Sequence, residues 1–230
     1  YAGVTAVPVY PPKRNQKIGR LRAIIDDCEP DWVMTTTRVI ELAEPLFKET
    51  PGLENLPWLT TDDLDYEQTA TWNCPDINEH TLAFLQYTSG STGNPKGVML
   101  SHNNLLKNTE ANYSSKPIPP GVNGVSWLPL FHDMGLIGGV IWPLYGCFTA
   151  ILMSPTAFLQ KPIRWLKAIS DFKAVVSAAP NFAFEYCVEN IPDKDFAGLD
   201  LSRWEVAILG AEPIRGDTLI KFVNKFRSIG

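Results

Sequence analysis

The chain has 230 residues, 45 % of them hydrophobic, with 25 acidic and 20 basic side chains and a formal charge of −5. At roughly 100–200 residues per domain this is one large domain or two small ones, with too much apolar content for disorder. The mild negative charge offers nothing to nucleic acid or anionic lipid. Four widely spaced cysteines (Cys28, Cys74, Cys147, Cys187) argue against a disulfide framework or zinc knuckle and make a reducing cytoplasm the default.

The chain opens inside an apolar stretch, and Ala2–Tyr10 reads as a strand. Both this start and the end at Gly230, where a helical pattern runs out, are expected of a piece of a longer protein. Lys17–Cys28 is helical, with Ile18, Leu21, Ile24, Ile25 and Cys28 on one side. Trp32–Thr36 reads as a strand, Val39–Lys48 as a helix and Trp58–Thr60 as a short strand. An acidic loop runs through Asp62–Asp76. Leu82–Thr88 and Gly97–Leu100 are strand-like and flank a glycine-rich loop, and Asn103–Tyr113 is helical. The Pro, Gly and Ser content of Ser114–Gly121 reads as a linker.

Beyond it the alternation resumes. Strands are expected at Val125–Leu130, Phe148–Met153, Ala174–Ala178 and Val206–Leu209. Helices are expected at Met134–Leu144, Ile163–Phe172, Phe182–Glu189 and Thr218–Phe226. Met134–Met153 is uncharged and long enough to suggest a membrane span. Pro143, Gly146 and the turn at Tyr145-Gly146 favour two buried elements of a globular core instead. The expected class is therefore α/β, with two lobes of largely parallel sheets flanked by helices, at residues 1–116 and 117–230.

The chemistry concentrates in Tyr87-Thr88-Ser89-Gly90-Ser91-Thr92-Gly93-Asn94-Pro95-Lys96-Gly97. Three glycines allow a tight turn that exposes backbone N–H groups, and the hydroxyls and one ammonium add donors, which suits a polyphosphate. Pro95 before Lys96 departs from the Walker pattern, and Gly-x-Gly-x-x-Gly is absent. Ser91 is not in a nucleophile elbow. The competing reading is a solvated hairpin loop. Either way Ser89–Pro95 should join two antiparallel strands rather than open a helix. His132, at a strand end, reads from its position alone as a core histidine or a helix cap.

Tyr87–Val98 resembles the phosphate-binding loop of adenylate-forming enzymes, and the second half narrows the resemblance to fatty acyl-AMP ligases. The segments that carry it are Trp127–Gly138, Leu152-Met153-Ser154-Pro155, Ala179-Pro180-Asn181-Phe182-Ala183 and Gly210-Ala211-Glu212-Pro213. The resemblance implies the middle of a large, here truncated, N-terminal domain. It implies fatty acid activation by ATP to an acyl-adenylate with release of pyrophosphate, followed by transfer to an acyl carrier protein, as in polyketide biosynthesis.

Carried onto these positions, the resemblance implies that Thr88, Ser89, Gly90, Ser91, Thr92, Gly93 and Lys96 bind the ATP phosphates. Mg²⁺ would be held through those phosphates and not by protein side chains. His132 is the catalytic candidate beside the acyl carboxylate. Amino-acid-activating relatives carry an aspartate there, so histidine points to a simple acid. Gly210, Ala211, Glu212 and Pro213 would form the adenine site, or an ordinary strand-to-helix turn. Gly135, Ile137, Gly139 and Phe182 would line an acyl tunnel, or pack an ordinary core. The family's acid-bearing motif for Mg²⁺, its ribose-binding aspartate and its catalytic lysine domain are not found, so these 230 residues are expected to be inactive alone. An acyl-CoA synthetase of the same superfamily and a silent nucleotide- or lipid-binding module are the alternatives.

Overall fold

The computed structural model describes residues 2–11, 19–47, 52–64, 72–88 and 95–230. They form two compact units, Tyr1–Asn103 and Asn104–Gly230. The sequence places the break at residues 116 and 117. The structure places it in the first turn of the helix His102–Ser115 (α3). The Pro-rich segment after α3 is a packed connection: Ile118 is buried against Trp142, Phe148 and Val176. Its prolines and glycine mark a turn, but one apolar side chain anchors it to the second unit.

In the first unit, helix α1 (Gly19–Cys28) and strand β1 (Val33–Thr35) are followed by helix α2 (Thr37–Phe47) and strand β2 (Trp58–Thr60). Strands β1 and β2 pair in parallel around that crossover helix. Strands β3 (Leu82–Thr88) and β4 (Lys96–Ser101) form an antiparallel ladder, with Thr88 opposite Lys96 and Tyr87 opposite Gly97. The glycine-rich loop therefore joins two antiparallel strands, as its pattern predicts. The strand expected over Ala2–Tyr10 is reduced to one parallel bridge between Ala6 and Phe84. Pro8 has no N–H to extend a ladder, and Gly3 turns the backbone to φ +68°.

The second unit is a four-stranded, all-parallel sheet in the order β6-β5-β7-β8. Its strands are β5 (Asn123–Ser126), β6 (Thr149–Leu152), β7 (Val176–Ala179) and β8 (Val206–Leu209). Alternate residues face opposite sides. Val125 and Ala179 enter the larger core, while Val176, Val206 and Ile208 meet a second cluster built on Trp142 and Phe148. Burial on both faces is what parallel strands require.

The larger core is aromatic. Trp127 stacks on Phe158 at 4.0 Å, and Trp165 meets Phe184 edge-on at 5.4 Å. Trp165 Nε1 donates to Ser177 Oγ at 2.8 Å, and that hydroxyl donates to Val125 O at 2.6 Å, so this buried indole and hydroxyl are both satisfied. Helices α7 (Ile163–Asp171), α8 (Asn181–Asn190) and α9 (Gly216–Phe226) supply the rest of this core.

One helix escapes the sequence reading: α6, Pro155–Gln160. Ser154 caps it by accepting the Ala157 N–H at 3.2 Å, and Pro155 occupies its first turn. The uncharged stretch expected to be two buried elements begins as one helical run: α4 (Asp133–Leu136), a π-helical segment over Ile137–Ile141, and α5 (Trp142–Gly146). Among the described residues no helix is long and apolar enough to cross a membrane.

Cys187 on α8 is fully buried, and burial pushes its thiol up from 9.0 to about 12. The native state thus keeps a proton that the unfolded chain releases above pH 9.0, so stability from this site is full below that pH and is lost as pH rises toward 12. In iodoacetamide labelling read by mass spectrometry, exposed Cys74 and Cys147 should react at pH 8 while Cys187 stays unmodified until urea unfolds the protein. Labelling of native Cys187 at the rate of Cys74 would contradict this placement.

Candidate functional site

The strands of the second unit and the helical run after Asp133 enclose a cavity of about 720 Å³. Gly124, Ser126, Val176, Ala178, Val206 and Ile208 line it from the sheet, and Ile137, Gly138, Gly139 and Trp142 from the helical run. His132, Asp133, Gly210 and Ala211 belong to the end at the strands' carboxyl termini, where open α/β sheets place their ligands.

Two glycines of these walls allow close packing, and a third leaves space. A Cβ on Gly139 would sit 2.9 Å from Ser126 Oγ, and one on Gly124 would lie 3.1 Å from both Phe148 and Val176. A Cβ on Gly138 would meet nothing within 4 Å, so that position leaves the cavity open. The π-helical turn carries Gly138 and Gly139 together on this wall. Such one-turn widenings occur often at functional sites.

His132 caps α4. Its Nδ1 lies 2.6 Å from Asp133 Oδ1 and 3.3 Å from the Met134 N–H. The amide has its closer partner in the same carboxylate, at 2.6 Å. We therefore place a proton on Nδ1, donated to Asp133, which fixes the ring and leaves Nε2 for a ligand. Both side chains are about half exposed, so the pair is at a mouth and not in the core.

The structure brings His132, Ile137, Gly139, Gly210 and Ala211 to one cavity and leaves other candidates outside its lining. Gly135 is buried under the Leu128–Pro129 backbone, where a Cβ would lie 2.1 Å from Pro129 O, so its missing side chain serves close packing. Phe182 is 42 % exposed and meets Trp127 edge-on at 6.2 Å. Glu212 turns away to the start of α8, where Oε1 accepts the Phe182 N–H at 2.5 Å. Pro213 is exposed.

In the first unit, Thr88 and Lys96 are exposed at the ends of β3 and β4. Ser89, Gly90, Ser91, Thr92 and Gly93 lie outside the described residues. Tyr87, just before the loop, is held from α1: its hydroxyl donates to the Asp27 carboxylate, and Arg20 donates to its carbonyl at 3.4 Å. Burial, then the Asp27 hydrogen bond, pushes the phenol well above its ordinary value. Gly97 opposite must lack a side chain, since a Cβ would lie 2.9 Å from the tyrosine ring. Asp27 carried no signal in the sequence, because its partner is 60 residues away.

The AMP-binding enzyme family model matches residues 1–230. The chain belongs to this family. It is 40 % identical, over its whole length, to the medium-chain-fatty-acid–[acyl-carrier-protein] ligase JamA of Moorena producens, and covers 40 % of that protein. It is 39 % identical over 98 % of its length to the long-chain-fatty-acid–AMP ligase FadD23 of Mycobacterium tuberculosis, again covering 40 % of it. Among solved structures it resembles the fatty acyl-adenylate ligase of L. pneumophila, determined with acyl adenylate and pyrophosphate. That match has a TM-score of 0.92 at 41 % identity, over 100 % of this chain and 40 % of the other. The chain thus spans about 40 % of the length of these relatives.

Among the described residues no group of three or more His, Cys, Asp or Glu is placed to hold a metal ion.

Proposed function

We propose that this chain is the part of a fatty acyl-AMP ligase that binds the acyl chain, the adenine and the ATP phosphates. The observation that carries the proposal is the cavity: apolar along the sheet, opened by Gly138, and ending at a histidine fixed by Asp133. Its likeness to a ligase solved with an acyl adenylate supports the same reading.

In the proposed reaction a carboxylate oxygen attacks the α-phosphorus of ATP. The bond to the β-phosphate breaks, and pyrophosphate leaves with the electron pair. Holding two anions in reach of each other is the main task of the protein. His132, held at Nδ1 by Asp133, turns its Nε2 edge to the carboxylate. Gly210 and Ala211 offer backbone and a small side chain to a flat base. Thr88, Ser89, Gly90, Ser91, Thr92, Gly93 and Lys96 supply donors and charge to the phosphates. The acyl group then passes to a carrier-protein thiol, consistent with the function in JamA's name. ATP and a fatty acid are the substrates, and the cytoplasm is the proposed location.

The test is pyrophosphate exchange and hydroxylamine trapping on the full-length protein across acid lengths. Rates should rise from acetate to dodecanoate, by roughly 0.8 kcal/mol per buried CH₂ until the cavity ends. Equal rates, or no acid-dependent exchange, would overturn the proposal. Rapid acylation of free coenzyme A, with a carrier protein offered beside it, would move the acceptor and leave the adenylation standing.

Lys96→Ala is a separate check on the loop. The side chain is exposed, so stability should change by less than about 0.5 kcal/mol. Exchange at limiting ATP should fall, because a charged contact to phosphate is lost. An unchanged exchange rate at both limiting and saturating ATP would remove Lys96 from the site.

A further inference from the structure

Gly210 and Ala211 line the cavity from the connection between β8 and α9. Ala211 sits at φ +66°, a region that residues with a side chain rarely adopt. Such a backbone persists where its surroundings over-determine it, and here two ties do so at one place.

Glu212 Oε1 accepts the Phe182 N–H, one of the donors that the first turn of α8 leaves unmatched. Pro180, which precedes that turn, provides no side-chain cap of its own. In the opposite direction, Asn181 Oδ1, from the first residue of α8, accepts the Arg215 N–H at 2.9 Å. Asn181 is 3 % exposed, and its Nδ2 lies 3.4 Å from Oγ1 of Thr218, itself 1 % exposed. The connection thus caps α8, while the first residue of α8 fastens the far end of the connection.

We propose that Asn181 is a positioning residue for the nucleotide base, acting through the Gly210–Arg215 backbone without touching the nucleotide. The proposal rests on the adenine reading of Gly210 and Ala211. A base recognised by main-chain groups is read only as well as those groups are held. Without the Asn181 tie, Arg215 N–H is released and Ala211 is free to relax toward negative φ. That relaxation rotates the peptide groups presented at the cavity mouth. The sequence gives no hint of this role, because Asn181 and Arg215 are 34 residues apart.

The experiment is acid-dependent pyrophosphate exchange on the full-length protein, with ATP and GTP compared. Asn181→Ala should raise the KM for ATP about tenfold, the equivalent of about 1.4 kcal/mol. The KM for the fatty acid should stay within about twofold, and the preference for ATP over GTP should narrow. Asn181→Ser, too short to reach Arg215, should behave alike and serves if the alanine variant folds poorly. Asn181→Asp keeps an acceptor for the Arg215 N–H and should stay near wild type.

A lower melting temperature with unchanged ATP KM and unchanged base preference would make Asn181 a structural residue only, and leave the adenine reading intact. Equal rises in both KM values would also overturn the proposal. A wild-type protein that exchanges pyrophosphate equally well with ATP and GTP would remove the adenine reading and this inference with it.

Discussion

His132→Ala should lower acid-dependent adenylation about 10²–10³-fold while the protein remains folded, because a positioned donor acting on developing charge contributes factors of that size. The ring is half exposed at the start of the short α4, so little packing is lost with it. Its value lies in orientation. Asp133 holds Nδ1, and the opposite nitrogen is left for the carboxylate. Asp133→Asn retains a side-chain oxygen beside Nδ1 but removes the charge, and should give a smaller loss of the same kind. Steady-state exchange and circular dichroism on both variants are the measurements. A His132→Ala enzyme with wild-type kcat/KM for the acid would remove the histidine from the site.

Gly138→Trp should convert a chain-length preference into a chain-length limit. A Cβ at this position meets nothing within 4 Å, so the new side chain starts into open space. It would compete with the acyl chain for the cavity of about 720 Å³. At roughly 0.8 kcal/mol per CH₂, excluding four methylenes from burial costs about 3 kcal/mol, or about 200-fold in kcat/KM for a long acid. Acids short enough to stop before Gly138 should be used nearly as before. Hydroxamate yields across acid lengths read this directly. A uniform loss at all lengths would point to damage at the mouth, and no change would place the chain elsewhere.

The alternation of strands and helices in residues 123–229 was legible because each element buries a continuous apolar run or one amphipathic face, and those patterns are local. Val206–Leu209 and Trp58–Thr60 were read to the residue. Ala2–Tyr10 was misread for an equally local reason, since a hydrophobic run interrupted by Pro8 cannot form the ladder its composition suggests. Helix α6 was missed because six residues are too few to show a helical period, although the Ser154-Pro155 start was in plain view. The linker looked like a boundary from its prolines, and the packing of Ile118, with the Gly121 N–H on Cys147 O, attaches it to the second unit.

By itself the sequence determined the α/β class and the antiparallel strands on either side of the glycine-rich loop, and its resemblance to acyl-AMP ligases offered the candidates His132, Ile137, Gly139, Gly210 and Ala211. Each is written in a local pattern or a short motif, where neighbours in the chain are neighbours in space. The tertiary structure alone decided which candidates share a cavity: it buried Gly135 under Pro129, turned Phe182 toward Trp127 and turned Glu212 to α8. It also supplied partners that no motif records: Asp133 for a chosen nitrogen of His132, Asp27 for Tyr87, and Asn181 for the Arg215 backbone. The physical reason is that apolar periodicity is summed along the chain, whereas a hydrogen bond needs two groups within about 3 Å in a fixed direction. Residues 27 and 87, or 181 and 215, meet that condition only after the chain has folded.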